Sequence, residues 1–165
     1  MLDDVQEIDS QKIAIKIYIP LKGMSVNKAW RSFRGRTIKS KEYRDYEIAF
    51  NHFMAANFEQ CAMFMDNLDM HNYAVKVHID FYFQWQDIMT KDNRFKLRGT
   101  DVDNCIKTCM DGVFKFLNVD DGIVSEVSAK KIPSHANWTV VTLERVDLPK
   151  QQEIPDLPKW SEVDH

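Results

Sequence analysis

The sequence predicts a single α+β domain in which a small mixed or antiparallel sheet packs against two main helices. Two observations predict it: segments with an apolar residue at every second position alternate with segments of helical periodicity, and 165 residues suit one domain with a substantial core. We expect an acidic N-terminal extension at residues 1–11, the domain at residues 12–146, and a flexible, proline-containing acidic tail at residues 147–165.

Four strands are predicted from the alternation. KIAIKIYIP, residues 12–20, places its isoleucines on one face and ends at a proline. YAVKVHIDFYFQW, residues 73–85, alternates over the longest stretch and is the clearest strand. Two further strands are expected at residues 123–132 and 137–146, near the end of the domain.

Two helices are predicted between these strands. Ser40 is a candidate cap for a helix over residues 41–64, where aromatic residues recur at roughly helical spacing. A second helix is expected at residues 103–117, with Asp103 as its cap and a continuous apolar stripe that contains Cys105 and Cys109. The remaining segments, residues 22–40 and 86–100, are expected to be polar loops rich in lysine and arginine.

Composition restricts the class of protein. No apolar run approaches the ~20 residues that span a bilayer, and the N-terminus lacks the basic and apolar regions of a signal peptide. The three cysteines have no zinc-binding spacing, which favours a reduced protein. The sequence therefore predicts a cytoplasmic protein that does not bind a membrane.

Charge is distributed unevenly along the chain. The net charge is −3, but residues 1–11 carry −4 and residues 147–165 carry −3, which leaves +4 for residues 12–146. A mildly basic body between acidic tails is compatible with an anionic partner.

The stretch GTDVDNCIKTCMDG, residues 99–112, places Asp101 and Asp103 where an extended segment enters the second helix. Residues two apart in an extended segment point the same way, so both carboxylates can face one point. Further along, VDDGIV adds Asp120 and Asp121. If the chain doubles back beside the helix start, Asp121 joins the first pair.

Two interpretations of these acids remain open. Asp103, Lys107 and Asp111 lie four residues apart and could form an ordinary salt-bridge ladder on a capped helix. Alternatively, converging carboxylates without His or Cys would select Mg²⁺ or Mn²⁺, the usual ions of phosphoryl transfer. An EF-hand calcium loop is excluded because the positions that need an oxygen ligand, Gly and Glu hold Cys105, Ile106 and Gly112.

A dense run of cations occupies residues 28–44, with Trp30 and Phe33 interleaved. Such a run is either a solvated basic loop or a surface that holds nucleic-acid phosphates while the aromatic rings stack on bases. A second cationic group at residues 91–98 directly precedes the acidic stretch, which favours the nucleic-acid interpretation.

Three motifs in order resemble those of the RusA-like Holliday-junction resolvases. The first, a strand ending in proline followed by S-x-N, aromatic and basic residues and G-R, is similar to IPLKGMSVNKAWRSFRGRTIKS. The second, D-x-D-N-x-x-K-x-x-x-D, is matched by DVDNCIKTCMD, and the third by VDDGIVSEV. The resemblance covers residues 13–146.

This resemblance implies a homodimeric, Mg²⁺-dependent endodeoxyribonuclease, with Mn²⁺ as a possible substitute, that resolves four-way DNA junctions by paired nicks in recombination and repair. Its relatives are frequent in phages and prophages. It implies that Asp101, Asp103 and Asp121 hold the metal, that Lys107 is an active-site cation, and that Asp120 is a supporting acid. The resemblance also implies DNA-binding residues in the first basic segment, namely Asn27, Lys28, Arg31, Arg34 and Arg36. Arg98, a cation of the second basic group, is expected to bind DNA with them.

Two alternative functions are compatible with the same residues. One is a nuclease for other branched DNA, such as flaps, forks or packaging intermediates. The other is a DNA-binding accessory protein that has lost catalysis. The role of Asp111 is left open between the ladder and support of the metal site.

Overall fold

The computed structural model describes residues 12–151 and 155–156. It confirms the α+β prediction, with a four-stranded mixed sheet, a separate hairpin and packed helices. The strands are Ala14–Ile19 (β1), Trp30–Phe33 (β2), Arg36–Lys39 (β3), Tyr73–Gln84 (β4), Val124–Ser134 (β5) and Trp138–Asp147 (β6). The helices are Val26–Ala29 (α1), Lys41–Ala56 (α2), Phe58–Asp66 (α3), Trp85–Ile88 (α4) and Val102–Leu117 (α5), with a 3-10 turn at Asp121–Ile123.

The large sheet has the order β1-β6-β4-β5, so β4 and β6 are central and β5 lies at one edge. Strand β6 is antiparallel to both of its neighbours, whereas β4 and β5 are parallel. A parallel pair requires a crossover connection, and residues 85–123 provide it with α5 as the crossover helix.

The core lies between one face of this sheet and the helices. Alternate residues of β4 from Val75 to Phe83 are fully buried, as are Ile17 of β1 and Leu143 of β6. Helices α2 and α3 contact β1 at one edge of the sheet, whereas α5 contacts β5 at the other edge. Helix α5 is therefore placed along the β5 edge.

Helices α2 and α5 approach each other closely at Gly112. A Cβ atom at this position would lie 2.7 Å from the ring of Phe50, a residue that is almost fully buried. Any side chain at position 112 would collide with that ring, so the glycine is required by packing.

Two predicted segments at the start of the domain differ from the structure. Residues 22–40 are not simply a loop, since they contain α1 and the β2–β3 hairpin, whose turn residues Arg34 and Gly35 both have positive φ. The predicted helix at residues 41–64 is two helices separated at Asn57. Its cap is confirmed, because Ser40 Oγ accepts a hydrogen bond from Tyr43 N at 3.1 Å.

The start of α5 also differs in detail. Asp101, and not Asp103, occupies the cap position, and its side chain makes no capping hydrogen bond. The segment at 86–100 includes most of α4 and an isolated bridge between Met89 and Phe95. The predicted extension at residues 1–11 and much of the predicted tail lie outside the described residues. Within the described ranges, no helix has the length and apolar character needed to cross a bilayer.

Candidate functional site

Asp101 and Asp103 lie together at the start of α5, and we call them the helix-start acids. Both side chains are exposed. Burial, together with the nearby carboxylates of Asp103 and Asp101, raises the pKa of the adjacent Cys105 thiol to about 11. Both carboxylates therefore lie near the thiol of Cys105, whereas their convergence on one point stays a prediction.

Two lysines from distant parts of the chain approach the same helix start. The ammonium groups of Lys131 and Lys22 oppose the rise in the pKa of Cys105. Lys131 Nζ also donates a hydrogen bond to Thr100 O at 3.1 Å, directly before the helix-start acids. Lys22 Nζ is paired with Asp87 at 2.8 Å. Both lysines therefore lie near the Cys105 thiol that the two carboxylates also influence, and Lys131 contacts the backbone directly before Asp101.

Lys107 lies one turn further along α5. Its Nζ is 3.4 Å from Asp111 Oδ1, so the Lys107–Asp111 pair of the predicted salt-bridge ladder is present. Both side chains are substantially exposed, and such a pair stabilises a helix by only a few tenths of a kcal/mol. The contact is consistent with either role left open for Asp111.

Asp120 and Asp121 follow the end of α5. The Oδ1 atom of Asp120 accepts a hydrogen bond from Gly122 N at 2.7 Å and caps the 3-10 turn. Asp121 is exposed in that turn and lines a shallow depression together with Asp111 and Asp120. We call Asp111, Asp120 and Asp121 the helix-end acids.

The two acid groups lie at opposite ends of α5. Val102 and Leu117 are about 22 Å apart, because a helix rises 1.5 Å per residue. The neighbouring strand agrees, since Lys131 lies beside Thr100 while Val124 begins β5 directly after the 3-10 turn. These two residues of β5 are about 23 Å apart along the strand. In a single chain, Asp121 does not meet Asp101 and Asp103.

The positions of the two acid groups determine whether one chain can hold a metal ion. Across residues 12–151 and 155–156, no group of three His, Cys, Asp or Glu side chains is positioned to hold one ion. The helix-start acids supply two hard oxygen ligands of the kind Mg²⁺ prefers, but one chain does not supply a third. The three-carboxylate metal site stays a prediction.

The cationic run forms a hairpin that projects from the domain. Residues 31–37 are all exposed, including Arg31, Arg34 and Arg36, and Arg34 lies over the ring of Phe33 at 5.2 Å. The base of the hairpin is fixed on α2, because Ser40 N donates to Ala29 O at 2.9 Å and Ser40 Oγ donates to Lys28 O at 2.7 Å. The arginines are therefore free to contact a ligand while their base is held.

The segment that precedes α1 and the hairpin lies against α5. Thr108 Oγ1 donates a hydrogen bond to Met24 O, and a Cβ atom at Gly23 would lie 3.3 Å from Cys105 Sγ. Asn27 and Lys28 follow within a few residues and are exposed. Arg98, also exposed, precedes the helix-start acids on the other side. Exposed cations therefore lie on two segments, one that follows the contact with α5 and one that directly precedes the helix-start acids in the chain.

Sequence reasoning missed Lys131. The register pairs Lys131 with Phe81, so its side chain starts on the core face of the sheet, as do those of Val127 and Ala129. The same alternation is visible in the sequence, where a lysine takes an apolar position of the strand. A lysine on a core face near carboxylates was the signal that could have identified it.

A comparison with known families identifies the group to which this geometry belongs. The chain matches the family model described as Endodeoxyribonuclease RusA over residues 19–144, a range that contains the hairpin, α5 and both acid groups. No curated protein matches the sequence. Since the match covers most of the chain, the protein belongs to the RusA family of endodeoxyribonucleases, which resolve Holliday junctions.

Proposed function

We propose that the protein is a Mg²⁺-dependent nuclease that resolves four-way DNA junctions by paired phosphodiester hydrolysis, as a homodimer. The observation that carries the proposal is the placement of exposed arginines and paired carboxylates on neighbouring elements of a chain from an endodeoxyribonuclease family. A phage or prophage origin and a cytoplasmic role in recombination and repair are part of the same proposal.

The hairpin and the cations around α5 would hold the DNA backbone. Arg31, Arg34 and Arg36 are exposed on a hairpin whose base is fixed, so contacting phosphates would cost little reorganisation. Arg98 and Lys131 lie near the helix-start acids, where they would neutralise the phosphate to be cleaved.

The helix-start acids would supply oxygen ligands for the ion. When bound, Mg²⁺ or Mn²⁺ would lower the pKa of a coordinated water and neutralise charge on the phosphate. Lys107 is exposed one turn from these acids, and the ammonium group would favour the same anionic phosphate. Asp120 would act indirectly, by fixing the turn that carries Asp121.

Purified protein is expected to cut a synthetic four-way junction into nicked duplexes when Mg²⁺ or Mn²⁺ is added, and to stop when the ion is chelated. The same strands should be assembled as forks, flaps and linear duplex, with products separated on denaturing gels. Faster cleavage of forks or flaps than of the junction would contradict the proposed substrate. Binding without cleavage of any branched DNA would contradict the proposed catalysis.

Arg36→Ala is expected to weaken junction binding several-fold and to reduce the slope of log affinity against log salt by about 1, because one phosphate contact is lost. Arg36 is exposed in β3 and its removal leaves the fold intact. Titration at several salt concentrations by fluorescence anisotropy measures both quantities. Lys12→Ala removes a cation at the far edge of the sheet, next to Glu144, and should leave the slope unchanged. Equal slopes for both variants would show that the hairpin does not hold phosphates.

A further inference from the structure

We propose that the protein has a second DNA-binding surface, which binds single-stranded DNA on the face of the sheet opposite the helices. Its centre is an aromatic patch formed by Tyr18 of β1, Tyr82 of β4 and Trp138 of β6. The inference goes beyond the proposed function, because cleavage of a fully base-paired junction does not require a site for unpaired bases.

The alternation of burial along the strands identifies this face. In β4, the odd-numbered residues from Val75 to Phe83 are buried, whereas the even-numbered residues from Lys76 to Gln84 are half-buried. Strand β1 repeats the pattern, with its isoleucines buried and Lys16 and Tyr18 exposed. Successive side chains of a strand point to opposite faces of a sheet. Among the described residues, the second face therefore stays accessible to solvent, and we call it the open face.

The register brings the aromatic patch together from three neighbouring strands. Trp138 lies directly opposite Tyr82, and Tyr18 lies opposite Val140, two residues from Trp138. With Ser134, these residues line a groove of about 320 Å³. Tyr18 is 52% exposed and Trp138 is 39% exposed, which is high for such large rings. Exposed aromatic rings on neighbouring strands form a surface on which single-stranded nucleic acids stack their bases.

The acids of the open face are occupied by neighbouring side chains. Three acids lie on this face within the described residues, and each contacts a nitrogen atom of a basic side chain. The contacts are Lys76–Glu126 at 3.0 Å, Lys12–Glu144 at 3.2 Å and His78–Asp80 at 2.9 Å. His78 is held from its other side as well, since its Nδ1 atom lies 2.6 Å from Ser128 Oγ. The acids therefore leave little free negative charge to repel an anion.

Two lysines of the open face have no such partner. Lys16 and Lys130 are exposed, and neither forms an ion pair in the part of the chain that the structure describes. They lie on β1 and β5, the two edge strands, so they flank the aromatic patch on both sides. Unpaired cations around exposed rings fit a single strand, which presents phosphates and unstacked bases together. A duplex does not fit equally well, because its bases are stacked on one another.

The aromatic patch lies at the same end of the sheet as the helix-start acids. Tyr82 follows Phe81, which the register pairs with Lys131. Lys131 Nζ in turn donates a hydrogen bond to Thr100 O, directly before these acids. A single-stranded branch of a DNA molecule held at the acids can therefore continue around the end of the sheet onto the open face.

Binding of a labelled oligothymidylate of about 20 nucleotides, longer than one site of this kind, tests the proposal. The full chain is titrated by fluorescence anisotropy with divalent ions chelated, so that no strand is cut. Trp138→Ala should weaken binding about five- to 100-fold, because base stacking on the ring is lost. Trp138→Phe keeps a ring and should retain most of the affinity, whereas Trp138→Leu should not.

Ile48→Ala is the control for this titration. Ile48 is 72% exposed on α2, and its removal should leave the affinity for the oligothymidylate unchanged. If Trp138→Ala binds as tightly as Ile48→Ala, or if Trp138→Leu binds as tightly as Trp138→Phe, no base stacks on this ring and the proposal is overturned.

Lys130→Ala tests the phosphate contacts separately. It should reduce the slope of log affinity against log salt by about 0.7, the value for one phosphate of a single strand. Lys12→Ala removes a lysine that already pairs with Glu144 and should leave the slope unchanged. Equal slopes for the two variants would mean that the strand does not run along the β5 edge, and would contradict the proposal.

Three further outcomes decide between single-stranded DNA and other occupants of the open face. Trp138→Ala should leave the affinity for a blunt duplex unchanged, and an equal loss for duplex and single strand would overturn the proposal. Tighter binding of oligouridylate RNA than of oligothymidylate would overturn it as well. Dissociation of Trp138→Ala into smaller species in light scattering would identify the patch as an interface between copies instead.

Cleavage of a fully paired junction by the wild type, measured in parallel, separates this inference from the proposed function. Junction cleavage without Trp138-dependent binding of the single strand would reject the open-face site alone. Trp138-dependent binding without cleavage of any branched DNA would reject the proposed nuclease activity alone.

Discussion

Asp103→Asn is expected to lower the rate of junction cleavage at least about 100-fold while changing junction affinity by less than about threefold. The amide has nearly the same shape as the carboxylate, so the fold of the exposed α5 start is kept. It removes the negative charge that a divalent cation requires, and several kcal/mol of transition-state stabilisation with it. Single-turnover cleavage and anisotropy with the same labelled junction separate the two effects.

Asp45→Asn is the matched control for this experiment. Asp45 is an exposed acid on α2 that pairs with Lys41 at the surface. The variant should cleave at the wild-type rate. If Asp103→Asn also cleaves at that rate, Asp103 has no catalytic role and the motif that contains it is structural. If Asp103→Asn loses binding as well as cleavage, the aspartate positions the DNA or the hairpin instead.

Phe50→Ala is expected to lower the free energy of unfolding by about 3–5 kcal/mol, the usual cost of removing a fully buried ring. Phe50 is 1% exposed, contacts the ring of Tyr46 at a centroid distance of 5.5 Å, and fills the gap at Gly112. Thermal unfolding followed by circular dichroism should show a Tm that is roughly 10 °C lower, since each kcal/mol shifts Tm by about 2–4 °C in a domain of this size.

Phe58→Ala is the matched control, because it makes the same substitution at an exposed position. Phe58 is 62% exposed on α3, so its removal should change the free energy of unfolding by less than about 0.5 kcal/mol. Equal effects of the two substitutions would show that α2 and α5 are not packed through Phe50. Chemical denaturation of both variants supplies the free energies independently of the thermal data.

The elements that sequence reasoning identified are those whose residues are buried in a regular pattern. Strand β4 alternates between buried and half-buried positions from Val75 onward, and α5 has a continuous buried stripe. The β2–β3 hairpin was missed because all residues of β2 are exposed, which leaves no alternation to detect. The break at Asn57 was missed because apolar periodicity continues through it, while its amide donates hydrogen bonds to Phe53 O and Tyr18 O.

In the candidate site, too, the sequence predicts local features but does not predict contacts between residues that are far apart in the chain. That Asp101 and Asp103 lie near each other follows from their separation of two residues at the helix start, which is a local property. The distance from this pair to Asp121 depends on the length of α5 and the direction of β5, which requires the tertiary structure. Proximity of Lys131 to Thr100 requires it as well. Whether Asp121 shares an ion with the helix-start acids stays a prediction.

The parallel pairing of β4 with β5 has a consequence for the order of events during folding. These strands cannot pair until residues 85–123 have crossed over, and β6, although it follows β5 in the chain, pairs with β1 and β4 instead. Closing that long loop costs entropy before any strand contact compensates for it, and contacts of this kind slow folding. Since the crossover carries both acid groups, we expect the site to be assembled late, when the last strands join the sheet. A refolding chain would then acquire its compact sheet and its nuclease activity in the same kinetic phase.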